Sequence, residues 1–109
     1  MAYDEELAER VRGALAGCEG LTEKRMFGGI AFMLRGNMSC GIVSDKLMVR
    51  VGPERFDEAL TLPHARPMDF TGRPMRGMVY VTPEGCRTDE ALKRWVEQGL
   101  NFAATLPAK

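Results

Sequence analysis

Residues 24–51 read KRMFGGIAFMLRGNMSCGIVSDKLMVRV, and this stretch decides the fold. Apolar runs at 30–34, 38–43 and 46–51 are separated by Arg35-Gly36-Asn37 and by Ser44-Asp45. Gly, Asn and Asp tolerate the positive φ that tight hairpin turns require, so both separators are hairpin signals. In the last run Leu47, Val49 and Val51 alternate with Lys46, Met48 and Arg50, which is the period of a strand. Residues 23–27 supply a further short strand, and Gly28-Gly29 makes the bend after it. The stretch predicts an antiparallel meander of three or four strands.

Outward from the meander the period changes. Leu7, Val11 and Leu15 recur at helical spacing within residues 4–16, with Asp4, Glu5 and Glu6 where a helix dipole favours negative charge. After the meander, Gly52-Pro53 opens a short helix with Phe56, Ala59 and Leu60 inward, Pro taking its first position, and Pro63 stops it. Residues 64–77 carry two X-Pro steps and a Thr-Gly turn and read as a loop, with at most an edge fragment. A strand follows at 78–81 and ends at Thr82-Pro83-Glu84-Gly85. Thr88 then caps a final helix whose inner face is Leu92, Trp95, Val96, Gly99, Leu100 and Ala103.

The predicted class is therefore α+β: an antiparallel β-meander sheet flanked by N- and C-terminal helices, plus one short helix after the meander. Residues of both parities are apolar at 30–34, Ile30, Phe32 and Leu34 against Ala31 and Met33. A strand apolar on both sides implies a second covered sheet face. In a chain this short a partner subunit is the expected cover, so a homodimer is anticipated.

With 109 residues and no linker, repeat or low-complexity tract, the chain reads as one domain spanning 1–109. Its 45% apolar and 28% charged residues are those of an ordinary globular protein. Fifteen basic residues balance fifteen acidic ones, which removes the global attraction that a duplex-DNA binder draws on. Three scattered cysteines, Cys18, Cys40 and Cys86, fit neither a disulfide scaffold nor a CxxC zinc site. No run approaches a membrane span, and the acidic start MAYDEELAERV lacks a signal-peptide core. A cytoplasmic protein is expected.

Candidate chemistry is sparse. His64 is the only histidine, and its neighbours Ala65, Arg66 and Pro67 offer it no partner. A Cys40–His64 nucleophile pair is disfavoured, since Cys40 lies mid-strand between Ser39 and Gly41. Gly28-Gly29 precedes a strand and matches no phosphate-loop pattern. Ser39 and Ser44 lack a GxSxG setting. Of the eight methionines, most are expected to fill core gaps. The best candidate surface is the basic group Arg50, His64, Arg66, Arg73 and Arg76, with Asp69 the acid among them. Arginines fork onto carboxylates and phosphates, and Asp69 is expected to pair with one and pin the loop.

Several separated blocks share a further property. Residues 24–32 (KRMFGGIAF), 36–38 (GNM), 47–53 (LMVRVGP), 67–74 (PMDFTGRP), Tyr80-Val81 and Trp95-Val96, in this order, resemble the N-terminal domain of the TfoX/Sxy family of bacterial competence regulators. The resemblance implies an α+β fold and a role in regulating competence genes beside a cyclic-AMP receptor type activator. Longer members carry a second, helical C-terminal domain, and this chain stops at Lys109, so a stand-alone N-terminal domain is expected.

The functional expectation is a non-enzymatic regulatory domain without cofactor, catalytic residues or bound metal, acting through protein contacts with transcription machinery or an activator. The alternatives are direct nucleic-acid binding through residues 66–76, or a small ligand-sensing domain with a pocket beside Arg50 and Asp69.

Overall fold

The computed structural model describes residues 3–26, 28–69 and 74–108, and gives the backbone alone at 26, 68, 69 and 74–76. Six strands form one antiparallel sheet. In chain order they are β1 (Leu21–Met26), β2 (Gly29–Leu34), β3 (Asn37–Val43), β4 (Lys46–Arg50), β5 (Ala65–Asp69) and β6 (Pro74–Val81). Across the sheet they lie in the order β1-β2-β3-β4-β6-β5. Three helices accompany them: α1 (Glu5–Ala14), α2 (Phe56–Leu60) and α3 (Asp89–Ala104), with a 3-10 turn at Pro83–Cys86. The predicted α+β class, the meander and the order of the three helices all stand.

The hairpins form where the turn residues require. Leu34 pairs with Asn37, so the β2–β3 turn is Arg35-Gly36, with φ of 51° and 86°. Positive φ at both centres is the mark of the turn whose twist suits a hairpin. Val43 pairs with Lys46 around Ser44-Asp45, and Ser44 has φ 56°. Asp4 caps α1, its Oδ1 accepting from the Leu7 N–H at 3.1 Å. Thr88 caps α3 in the same way, accepting from the Ala91 N–H at 3.1 Å.

Two local expectations are corrected. Residues 64–77 are chiefly strand, because β5 and β6 pair from Ala65↔Val81 to Asp69↔Pro74. Pro67 is tolerated there because β5 is the last strand of the sheet, and an edge residue needs no donor on its outer side. The short helix begins at Phe56 rather than at Pro53, which lies in the turn before it.

Two register rows cross the whole sheet beneath the helices. One is Arg25, Ile30, Ile42, Leu47, Val81 and Ala65; the other is Glu23, Phe32, Cys40, Val49, Val79 and Pro67. Their central members join Leu7, Val11, Phe56, Leu92, Trp95 and Val96 in the main core. A β-bulge between Phe32 and Met33 leaves Ser39 outside the ladder, and its hydroxyl donates to the Phe32 carbonyl at 2.9 Å. Asn37, almost wholly buried, donates from Nδ2 to the Pro107 carbonyl at 2.9 Å and ties the tail of the chain to β3.

Candidate interaction surface

The intervening row of the register defines the opposite face. Lys24, Ala31, Gly41, Met48, Tyr80 and Arg66 stand opposite one another in turn and run through all six strands. Side chains alternate between the faces of a strand, so this row points away from the helices. Met48 and Met78 form a second small core there, with half-buried Met38, Val43 and Tyr80 packed against it. None of the three helices contributes to this cluster.

Of the expected cover for the second face, the chain itself supplies a methionine layer. Thioether chains are unbranched and fill irregular gaps. The Met48 terminal methyl lies over Gly41, where an added Cβ would stand only 2.7 Å from it. Glycine at 41 is thus what lets the layer lie flat.

Among the described side chains, the strand charges at outer-face positions have one sign. Lys24 sits on β1, Lys46 and Arg50 on β4, and Arg66 on β5, all at positions of the outer face by register and alternation. Among the described side chains no strand carboxylate shares that face. Glu23 lies on the other side, held by Arg12 of α1 through Nε at 2.8 Å and Nη2 at 2.9 Å. That hydrogen bonding holds the Glu23 carboxyl below the usual carboxylate range. Asp45, in the β3–β4 turn, comes within 3.5 Å of the Lys46 ammonium. By contrast α1, α2 and α3 each carry more carboxylates than bases. Among the described residues the charge is therefore uneven: the helices are net acidic, and the charges described at outer-face strand positions are basic.

The predicted arginine group is only partly assembled. Arg66 is on the face, with one Nη1 proton donated to the Ala65 carbonyl at 3.0 Å. Arg50 occupies a position of the same face, and its guanidinium carbon sits 5.2 Å from the centroid of the Phe102 ring, a cation–π contact. His64 is elsewhere. It has φ 71°, and its carbonyl accepts from the Thr82 N–H beyond the end of β6, four residues along from Met78, which faces Arg50. Arg73 lies outside the described residues, as do the side chains of Asp69 and Arg76, and with them the expected Asp69–arginine pair. Lys24 and Lys46 were not singled out in the sequence. The alternation of Lys46, Met48 and Arg50 against Leu47, Val49 and Val51 is the signal for Lys46, and no comparable signal marks Lys24.

The suspected nucleophile does not form. Cys40 is fully buried on the helix side, between Phe32 and Val49 in the register, while His64 is exposed. Burial pushes the Cys40 thiol up to about 12, so at neutral pH it is a protonated packing group. Cys86 is likewise raised by burial, to about 11.

A cleft of about 460 Å³ lies between the corner after β4 and the second half of α3, lined by Gly52, Pro53, Arg55, Gln98, Asn101 and Phe102. Two glycines build the corner. Gly52 has φ 90° and sits against the Phe102 ring, where a Cβ would come within 2.5 Å of the ring. Gly77 has φ 97°, and its carbonyl accepts from the Val51 and Gly52 N–H groups at 2.8 and 3.1 Å. The cleft adjoins Arg50 through the shared Phe102 ring and the neighbouring Val51.

An α+β domain with helices on one sheet face and a methionine-lined, basic surface on the other is the class these observations define. A family model described as the TfoX N-terminal domain matches residues 13–103, and the chain belongs to that family. It is a competence-regulator-like domain. No match was found among curated proteins or among solved structures. Among the described residues no helix is long and apolar enough to cross a membrane.

Proposed function

We propose that this chain is a non-enzymatic regulatory domain that works by contacting another protein through the face of its sheet opposite the helices. The observation that carries the reading is the methionine layer itself. A sheet face that is only solvated carries polar residues on alternate positions. Here those positions hold Ala31, Met38, Val43, Met48, Met78 and Tyr80. Half-buried Met38, Val43 and Tyr80 pack against the buried Met48 and Met78, and adaptable apolar groups with charge at the rim are the composition of a protein contact. Family membership is consistent with regulation, and an activator or a component of the transcription machinery is the natural class of partner.

Met38→Glu tests this reading. Met38 is half-buried at the surface of the layer, so a carboxylate there spoils an apolar contact while leaving the helix-side core intact. Affinity capture of the native chain from its own cells is expected to return a discrete partner, and the Met38→Glu chain is expected to lose most of it, with the folded signature by circular dichroism retained. Capture that is unchanged by Met38→Glu would sink the proposal.

A further inference from the structure

We infer that β1 is a self-association edge: two copies of the chain join antiparallel along this strand and carry one sheet across both. The inference goes beyond the contact reading, since it uses the rim of the sheet and leaves the methionine layer untouched. β1 is a lateral end of the sheet, and among the described residues no strand lies outside it. Thr22, Glu23, Lys24 and Arg25 are all exposed.

The backbone phase of this edge is fixed. The Arg35 N–H donates to the Gly20 carbonyl at 2.8 Å, one step beyond the Leu21↔Leu34 pair. Antiparallel ladders alternate bonded and non-bonded pairs, so Thr22, Lys24 and Met26 bond to β2. Leu21, Glu23 and Arg25 turn their N–H and C=O groups outward, and none of them is a proline. The other edge differs. The Thr82 N–H donates to the His64 carbonyl, so the outward positions of β5 include Pro67, which has no donor to offer.

Charge selects the partner and the register. About a two-fold axis at Lys24, Glu23 of each copy stands opposite Arg25 of the other. Both are outward residues, so each such pair exchanges two backbone hydrogen bonds and sets a carboxylate beside a guanidinium. Glu23 is already held in place by Arg12, and among the described residues Arg25 has no ion-pair partner. Lys24 meets its own copy at the axis, one exposed like pair against two opposite ones. Registers that face Glu23 with Glu23, or Arg25 with Arg25, oppose like charges directly. An edge contact of this length falls at the small end of interface sizes, so association is weak and rises with concentration.

The test traps the full chain as a disulfide in a Cys18→Ser background, where the remaining thiols, Cys40 and Cys86, are buried. Residues at a non-bonded pair lie about 4.5 Å apart between Cα atoms, within disulfide reach, so Lys24→Cys treated with diamide forms a covalent dimer. Thr22 shares that face but stands four residues from its copy, roughly 13 Å along the strand, and Thr22→Cys gives about tenfold less. Added to Lys24→Cys, either Arg25→Glu or Glu23→Arg lowers the dimer yield about fivefold. Mixing those two chains restores opposite charges at both pairs and recovers the yield as a mixed adduct, identified by mass. All these positions are exposed, and the variants keep the folded circular-dichroism signature.

No dimer from Lys24→Cys at any concentration, equal trapping at Thr22, or a mixed pair no better than either chain alone overturns the inference. A Lys24→Cys adduct formed in lysate with a different protein, in preference to the chain itself, assigns the edge to a foreign strand and also overturns it. Partner capture that depends on Met38 is unaffected by each of these results, so the two readings fail separately.

Discussion

Phe32→Ala lowers the unfolding free energy by about 4 kcal/mol, the loss typical of a large aromatic side chain removed from a packed core. Phe32 is completely buried at the centre of β2, in register with Cys40 and Glu23. It also borders the bulge, where its carbonyl accepts the Ser39 hydroxyl. The backbone there is held on both sides, by β1 and β3, so collapse around the missing ring is limited and a cavity remains. Domains of this size have about 5–15 kcal/mol of stability in all, so the variant forfeits a large share. Urea unfolding followed by tryptophan fluorescence reads the effect through Trp95. A loss below about 1 kcal/mol would mean that the site closes up and that the core is not tightly packed.

Gly99→Ala reverses the usual sign of a helix substitution. Replacing glycine by alanine inside a helix ordinarily gains about 1 kcal/mol. At Gly99, in the middle of α3, an added Cβ would stand 2.2 Å from the Ser39 carbonyl oxygen and 2.9 Å from its carbon. Both obstacles are backbone, so α3 must move off β3, and overpacking of this kind costs about 1–3 kcal/mol beyond the lost propensity gain. The expected net result is a destabilisation of about 2 kcal/mol. Gly13→Ala is the internal control: it lies in α1 with nothing within 4 Å of the added carbon, and is expected to gain about 0.5 kcal/mol. Equal and favourable effects at 13 and 99 would show that α3 does not approach β3 as closely as described.

The same contrast between local rule and spatial setting explains how much the sequence disclosed. Ser44-Asp45 and Arg35-Gly36 sit at hairpin turns because their local chemistry demands it, and local chemistry is legible in one dimension. Thr88 at the start of α3 belongs to that class. The strand β5 was less legible, because Pro67 reads as an interruption until the chain is known to run along an edge, while Pro74 stands at the first residue of β6, where a proline is tolerated. The crossover that places β6 beside β4 depends on α2 packing through Phe56 and Ala59, a contact that no turn signal announces.

The candidate surface shows the limit most clearly. Nearness along the chain groups His64 with Arg66, yet φ 71° at His64 and its bond to Thr82 leave it beyond the end of β6, while alternation sends Arg66 onto the face opposite the helices. Lys24 and Arg66 are far apart in sequence and share one row. By residue type the methionines fit core filler. Met48 fits that description, whereas Met38 forms the half-buried surface of a second layer. Residue type alone does not separate these roles; the register does.

Site-specific photocrosslinking in living cells tests the contact face most directly. A photoreactive residue is placed in turn at Lys24 and Met38 on the sheet face opposite the helices, and at Glu9 and Glu90 on the helix layer. The prediction is a discrete adduct with another protein from the two sheet positions and none from the two helix positions. Adducts that arise equally from the helix layer, or from the helix layer alone, would contradict it.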